Sequence, residues 1–392
     1  LILVAEDDVM TQIDLREPAV AATTLPGKGE FLAMGVCAIL LRLVLLAATM
    51  ITFHRSFASL AEIADGHSYI AYARAMLGEK GVLTDFDRRV FPGYPLAIAG
   101  VRLLGFSFPL AAMGVSWVST ALASVFAALL TGSRRVGWGM VCLTPHYLLY
   151  SSIAANEPIL LLCCTGGLVL AMRGIDGDQP VGRGLIWLIC GGLVLGFGGV
   201  VRPFACFAVA GFLVHAARQR KWLAAVVVSV ASMMVVGAGM VGLWLFTGDA
   251  LQGAKTYRDN PRAYGGELYS YPFKSLIHHS LHGHVPVAKL LYVWVYVVVN
   301  LGAIVMITHR LVAQRRHPPD RTDLFWTWLV FNTLAILCVG SVWGFEAFHR
   351  FNSWALPAEL LALLPFLPRR TWTWMAVATG SFAIALYSIN RN

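Results

Sequence analysis

The sequence predicts an all-α polytopic membrane protein: a bundle of about 11 to 12 transmembrane helices, with an amphipathic interfacial helix in the first outer loop. Three observations carry this expectation. Of the 392 residues, 58% are hydrophobic and 13% charged, whereas a soluble domain is about half apolar and about one quarter charged. The apolar residues fall in runs, many of them close to the roughly 20 residues that a bilayer crossing needs. The basic residues behind the net charge of +9 sit in short clusters between those runs. That is how membrane loops distribute charge, and no nucleic-acid signature accompanies it, so no nucleic-acid partner is expected.

Residues 1–30 are too acidic for a signal-peptide n-region. They read as a cytoplasmic tail in front of a transmembrane domain over 31–390. The candidate spans are 31–53, 108–131, 136–153, 157–173, 185–201, 203–217, 222–246, 288–308, 324–343, 352–367 and 371–388. The run 91–106, "FPGYPLAIAGVRLLGF", is apolar but short and carries Arg102. It reads as a re-entrant or half-crossing element, with a complete twelfth span as the alternative. On the first reading Arg134/Arg135, Arg173/Arg183, Arg218/Arg220/Lys221, Arg310/Arg315/Arg316 and Arg369/Arg370 share one side, the cytoplasm by the positive-inside rule. The other side then collects 54–90, the turn at Asn156-Glu157-Pro158, Arg202-Pro203, the loop 247–287 and "FEAFHRF" at 345–351.

The seven cysteines lie in apolar runs without a CxxC pair, as small packing residues do. Gly191, Gly192, Gly196, Gly198 and Gly199 predict close helix contacts. Arg42 falls near the middle of the first span, where a charge costs about 2.5–3.5 kcal/mol on insertion scales. It must face the bundle interior and find an acidic or carbonyl partner.

The chemistry gathers on the outer side. In "ADGHSYIAYARAMLGEKG" at 64–81, Tyr69, Tyr72, Ala73, Met76 and Leu77 follow helical spacing, with His67, Ser68 and Arg74 on other faces. Asp65 opens this helix. One reading makes it an N-cap; the other makes it a catalytic base held in place at the membrane surface. Glu157 before Pro158 suits a helix first turn equally well. Arg202 and the His349-Arg350 pair stand at other outer junctions, where an arginine also snorkels. In 247–287, Lys255, Arg258, Arg262 and Lys274 lie among Tyr257, Tyr264, Tyr269 and Tyr271. Cations mixed with aromatics suit a phosphate and a sugar ring, and suit lipid headgroups as well. "HHSLHGH" sets His278 and His282 four apart, but a divalent metal needs a third ligand at fixed spacing and none is visible. No cofactor is therefore expected, and the run reads as a wet amphipathic loop, with a divalent-metal site as the minor alternative.

The order of these features resembles the GT-C superfamily of membrane glycosyltransferases. It runs from "ADGHSYIAYA" through "RVFPGYPLAIAGVRLLG", "LTPHYLLYSSIAANEPILLLCC" and "VRPFACFAVAGF" to "FHRFNSWALPAELLALLP". It is most similar to bacterial relatives of the PIG-V type mannosyltransferases, whose first loop carries an Asp, an aromatic helix and an FP-x-YP stretch. The resemblance covers 31–367. It departs from the pattern where many such enzymes pair two acids, because Asp65 is followed by Gly66, and Ala64 stands where PIG-V type enzymes often have an aromatic.

The resemblance implies a GT-C-like bundle in a bacterial inner membrane, with Asp65 as general base and Arg350 on the donor phosphate. Glu157, Arg202, His349, Arg89, Tyr94, Lys255 and Arg258 join Arg350 as substrate-binding candidates. The implied donor is a polyprenyl-phosphate-linked sugar, with mannose suggested by the PIG-V likeness. The acceptor is a glycan, lipid or protein, and membrane lipids are partners. A lipid phosphate is already a good leaving group, so the chemistry lacks only a base for the acceptor hydroxyl and positive groups for the phosphate. The alternatives are a membrane transporter, which predicts mid-membrane ionisable residues and internal repeats, and a lipid-linked glycan flippase or polymerase.

Overall fold

The computed structural model describes residues 27–84, 87–176, 181–253, 255, 269–282, 285–313, 321–340 and 343–391. Seven helices among them are long and apolar enough to cross a membrane. They are α1 (Lys28–Phe53), α5 (Phe108–Thr131), α8 (Glu157–Asp176), α9 (Val181–Val201), α11 (Trp222–Thr247), α13 (Val287–Ala313) and α18 (Thr371–Arg391). Two shorter apolar helices, α10 (Ala205–Arg218) and α14 (Thr322–Leu337), pack against each other. The short helices α12 (Lys274–His282) and α15 (Trp343–Glu346) precede α13 and follow α14. The tail expected at 1–30 falls almost wholly outside the described residues, and α1 begins at Lys28.

Proline divides two of the expected spans into shorter helices. The stretch 136–153 is two helices, α6 (Arg134–Cys142) and α7 (Pro145–Ser152). Pro145 forces Thr144 out of the helical region, to φ −105° and ψ 112°. The stretch 352–367 is likewise divided around α17 (Leu356–Ala362), which is flanked by short 3₁₀ turns, with Pro357 and Pro365 at the breaks. The run 91–106 yields α4 (Gly93–Arg102). Ten helical residues rise only about 15 Å, half of a hydrocarbon core about 30 Å thick.

The first loop holds α2 (Phe57–Ala61) and α3 (Gly66–Met76). The latter packs on α4 and α5 more deeply than an interfacial helix would. Tyr69, Ile70, Tyr72 and Ala73 are buried, and so is Ser68, expected on the polar face. His67 remains exposed.

Arg42 is fully buried, as its position demands. Its partners are neutral: Ser151 Oγ at 2.9 Å and the carbonyls of Val141 at 2.9 Å and Ala38 at 3.2 Å. The glycines of α9 are what allow α8 and α11 to approach from two sides. A Cβ on Gly191 would lie 2.7 Å from Ala171 N on α8, and one on Gly196 would lie 2.5 Å from Ser232 O on α11. Backbone is the obstacle in both cases, so no rotamer change relieves it.

Gly191→Leu and Gly196→Leu should each lower the thermal stability of the detergent-solubilised protein by the roughly 1–3 kcal/mol of an overpacked core. Gly237→Leu, where nothing lies within 4 Å, should leave the melting curve in place. A matching loss at Gly237 would show that any large residue in these helices is harmful and that the close contacts are not the cause.

Candidate functional site

Two carboxylates and three guanidiniums, from five separate segments, meet at one end of the bundle. Arg350 is at the centre, on the short helix α16 (Phe348–Asn352). Its Nε donates to Glu157 Oε1 at 2.6 Å and its Nη2 to Asp65 Oδ2 at 3.0 Å. The guanidinium also lies over the Tyr150 ring, 4.3 Å from the centroid. Arg89 takes the other oxygen of Asp65, Oδ1, at 2.8 Å, and reaches Ser68 Oγ at 3.1 Å. Arg202 lies 4.0 Å from Glu157 Oε1, donates to Asn156 Oδ1 at 3.1 Å and stands over the Trp354 ring.

Local sequence sets each position. Glu157 is the first residue of α8, so the helix-start reading holds, and its side chain is fully buried. Its Oε2 accepts no hydrogen bond among the described residues. Asp65 precedes α3, but its carboxylate makes no capping bond; both oxygens are given to arginine instead. Ala64, just before it, is held in the left-handed region at φ 54°. That conformation costs a non-glycine residue of order 1 kcal/mol and is tolerated where surrounding contacts fix it. Arg89 ends a 3₁₀ turn, Asp87–Arg89. Asp87 secures the turn through Oδ2, which accepts from Thr84 Oγ1 at 2.6 Å and Thr84 N at 3.1 Å.

The charges reinforce one another. Burial works against ionising Asp65, but the Arg350, Arg89 and Arg202 guanidiniums outweigh it and hold the carboxyl at about 2. Burial also works against the Arg350 charge, and Glu157 and Asp65 overcome it, so the guanidinium is held firmly cationic. Burial, with Asp65 close by, raises the neighbouring Tyr69 hydroxyl far above its ordinary range, so it stays protonated. Three guanidiniums against two carboxylates leave one positive charge in surplus among these five groups.

Of the residues singled out from sequence, Asp65, Glu157, Arg89, Arg202 and Arg350 come together. Tyr94 lies behind them, edge-on to Tyr69 with ring centroids 4.9 Å apart. Its hydroxyl is occupied by Ala112 O and Ser116 Oγ. Lys255 pairs with Asp249 at 2.6 Å; its segment nonetheless abuts the site, since a Cβ on Gly253 would sit 3.2 Å from the Arg89 carbonyl. Arg258 and the side chain of His349 lie outside the described residues. Ser68, Tyr150, Asn156 and Trp354 were not anticipated. Ser68, Asn156 and Trp354 sit beside a predicted charge, in sequence or one helical turn away from one, and that spacing was the available signal; Tyr150, seven residues before Glu157, carried none. Near Arg350, Asn352 Nδ2 donates to the buried Glu359 at 3.3 Å. No group of three or more metal-binding side chains occurs among the described residues. His278 and His282 stack with ring centroids 5.0 Å apart.

No family model matches the chain, and no curated protein matches it in sequence. Solved structures match it in fold. ArnT from Cupriavidus metallidurans, bound to undecaprenyl phosphate, superposes with a TM-score of 0.57 at 12% identity, over 91% of this chain and 63% of that one. The Archaeoglobus fulgidus oligosaccharyltransferase in its apo form gives 0.56 at 12% identity, over 92% and 56%. The same oligosaccharyltransferase tethered with an acceptor peptide containing the NVT sequon gives 0.52 at 12% identity, over 92% and 54%. The chain thus shares the fold of these solved structures and spans between 54% and 63% of their length.

The ionised Asp65 stabilises the folded state above the ordinary aspartate range, near pH 4. That contribution, on the order of 2 kcal/mol for a carboxyl lowered this far, is lost as pH falls from about 4 toward 2. Thermal melts of the wild type between pH 5 and pH 3 should therefore fall more steeply than those of Asp65→Asn, which has no proton to gain. Parallel slopes would mean that the arginines do not hold Asp65 ionised.

Proposed function

We propose that this protein is a membrane glycosyltransferase that moves a sugar from a polyprenyl-phosphate donor to an acceptor hydroxyl on the extracytoplasmic side of a bacterial inner membrane. The observation that carries the reading is the largely buried cluster of Asp65, Glu157, Arg89, Arg202 and Arg350 at one end of an apolar bundle. Support comes from the fold, since ArnT was solved bound to undecaprenyl phosphate.

The chemistry balances with these groups alone. The acceptor oxygen bonds to the anomeric carbon as the bond from that carbon to the phosphate oxygen breaks. The acceptor proton passes to Asp65, and polyprenyl phosphate leaves with the bonding electrons. Attack from the face opposite the phosphate inverts the anomeric centre. The Arg350 guanidinium meets the negative charge that grows on the leaving phosphate. Mannose is the sugar suggested by the PIG-V likeness of "ADGHSYIAYA" and "FPGYP". A transporter reading is less well supported, because the mid-span Arg42 donates to a hydroxyl and carbonyls rather than to a second ionisable group.

Purified protein in lipid nanodiscs, given a panel of polyprenyl-phosphate sugars and acceptors, should release polyprenyl phosphate and glycosylated product. Asp65→Asn should slow transfer at least about 100-fold, as loss of a general base does. Arg350→Ala should impair donor use more than Arg350→Lys, which keeps a charge. A near-normal rate in Asp65→Asn would remove Asp65 from the mechanism.

Sidedness has its own test. In whole cells, His67→Cys and Tyr271→Cys, both at exposed positions, should react with a membrane-impermeant maleimide added outside. Protection of both until the cells are lysed would put the site on the cytoplasmic face.

A further inference from the structure

The two carboxylates on Arg350 are not equivalent. Glu157 is fully buried at the start of α8 and holds Arg350 Nε at 2.6 Å, with Arg202 within 4.0 Å. Asp65 stands on the turn before α3 with 23% of its side chain exposed, and takes a different nitrogen, Nη2, at 3.0 Å. Its second oxygen is held separately by Arg89. In this arrangement both oxygens of the base are covered by guanidinium. A carboxylate so engaged is a poor proton acceptor, as its depressed pKa of about 2 also indicates. The nitrogen that covers Oδ2 is also one that a donor phosphate would seek, because Arg favours phosphate and carboxylate oxygens alike.

Building on the glycosyltransferase reading, we infer that the donor's phosphate replaces Asp65 on Arg350 Nη2, while Glu157 keeps Nε and so holds the guanidinium in place. Asp65 stays tied to Arg89 through Oδ1, and its Oδ2 is freed to receive the acceptor proton. Loss of a cationic neighbour and arrival of an anionic one both raise the basicity of a carboxylate. The donor thus uncovers the base that its own reaction requires. Glu157 is then a positioning residue acting through Arg350.

The test is equilibrium binding of undecaprenyl phosphate, without sugar, to the full chain in nanodiscs. If Asp65 competes with phosphate for one charge-assisted hydrogen bond, Asp65→Asn should bind roughly tenfold more tightly than the wild type. Glu157→Gln should bind no more tightly than the wild type, because its carboxylate is never displaced. A thermal melt checks that each variant is folded, and Asp65→Ser serves if Asp65→Asn is not. Equal tightening in both variants would reduce the effect to a general loss of negative charge and overturn the exchange. Unchanged or weaker binding by Asp65→Asn would overturn it as well. Absence of binding by the wild type would instead remove the glycosyltransferase reading, and the exchange with it.

Discussion

Arg350 is a charge taken out of water, and a buried guanidinium needs partners on several of its nitrogens to be tolerated at all. It finds one carboxylate at the start of α8, another on the turn before α3, and a ring face on α7. Removing one partner of such a group typically costs about 3–5 kcal/mol, because the survivor is left buried and unpaired. The requirement fixes where the first loop can sit. The first loop in turn carries Ser68 and, through Asp65, orients Arg89 on the Asp87–Arg89 turn. The five charges are one interdependent unit, and the loop that bears the proposed base has no independent position.

The opposite end of the bundle is built from similar groups with a different balance. His215 Nδ1 lies 2.6 Å from Asp323 Oδ1, and Arg218 reaches Asp323 Oδ2 at 3.1 Å, tying α10 to α14. Arg321 pairs with Asp176 at 2.6 Å, bringing the end of α8 to the start of α14. These are one-to-one or shared pairings that close contacts between helices. At the Arg350 end one guanidinium instead joins two acids, and one acid oxygen, Glu157 Oε2, is left without a partner among the described residues. An unspent acceptor oxygen beside three guanidiniums sets this end apart from the pairings that hold the helices together.

Composition and charge distribution made the membrane class legible, and the long spans appear close to where their apolar runs place them. The runs that misled are those in which hydropathy counted residues that proline had already divided, at Pro145 and in the Pro357–Pro365 stretch. Hydropathy reports solvent preference and says little about backbone continuity. The site was legible as a set of charges on one side, because Asp65, Glu157, Arg202 and Arg350 each interrupt an otherwise apolar context. Their pairing was not, since Arg350 lies 285 residues from Asp65 and 193 from Glu157. Tyr94 illustrates the limit at short range. Its place in "FPGYP" gave it a substrate role by likeness, whereas its hydroxyl is satisfied by Ala112 and Ser116.

Asp65 is the lone acid in "ADGHSYIAYA", and the geometry explains why no acid follows it. Gly66 cannot carry a side chain as the turn is built, because a Cβ there would lie 2.1 Å from the Ala61 carbonyl, with Ala154 Cβ at 3.3 Å on another side. That close approach keeps the turn tight, and Ala64 accepts a left-handed conformation to complete it. A second carboxylate is still present, supplied by Glu157 and brought to Asp65 through a shared arginine rather than along the chain. Two adjacent acids would repel one another and compete for the same cations. Two acids on either side of one guanidinium attract it jointly, and each can be given up or kept separately. Dividing the pair between two segments therefore permits what adjacency discourages: one carboxylate can anchor the arginine while the other comes and goes.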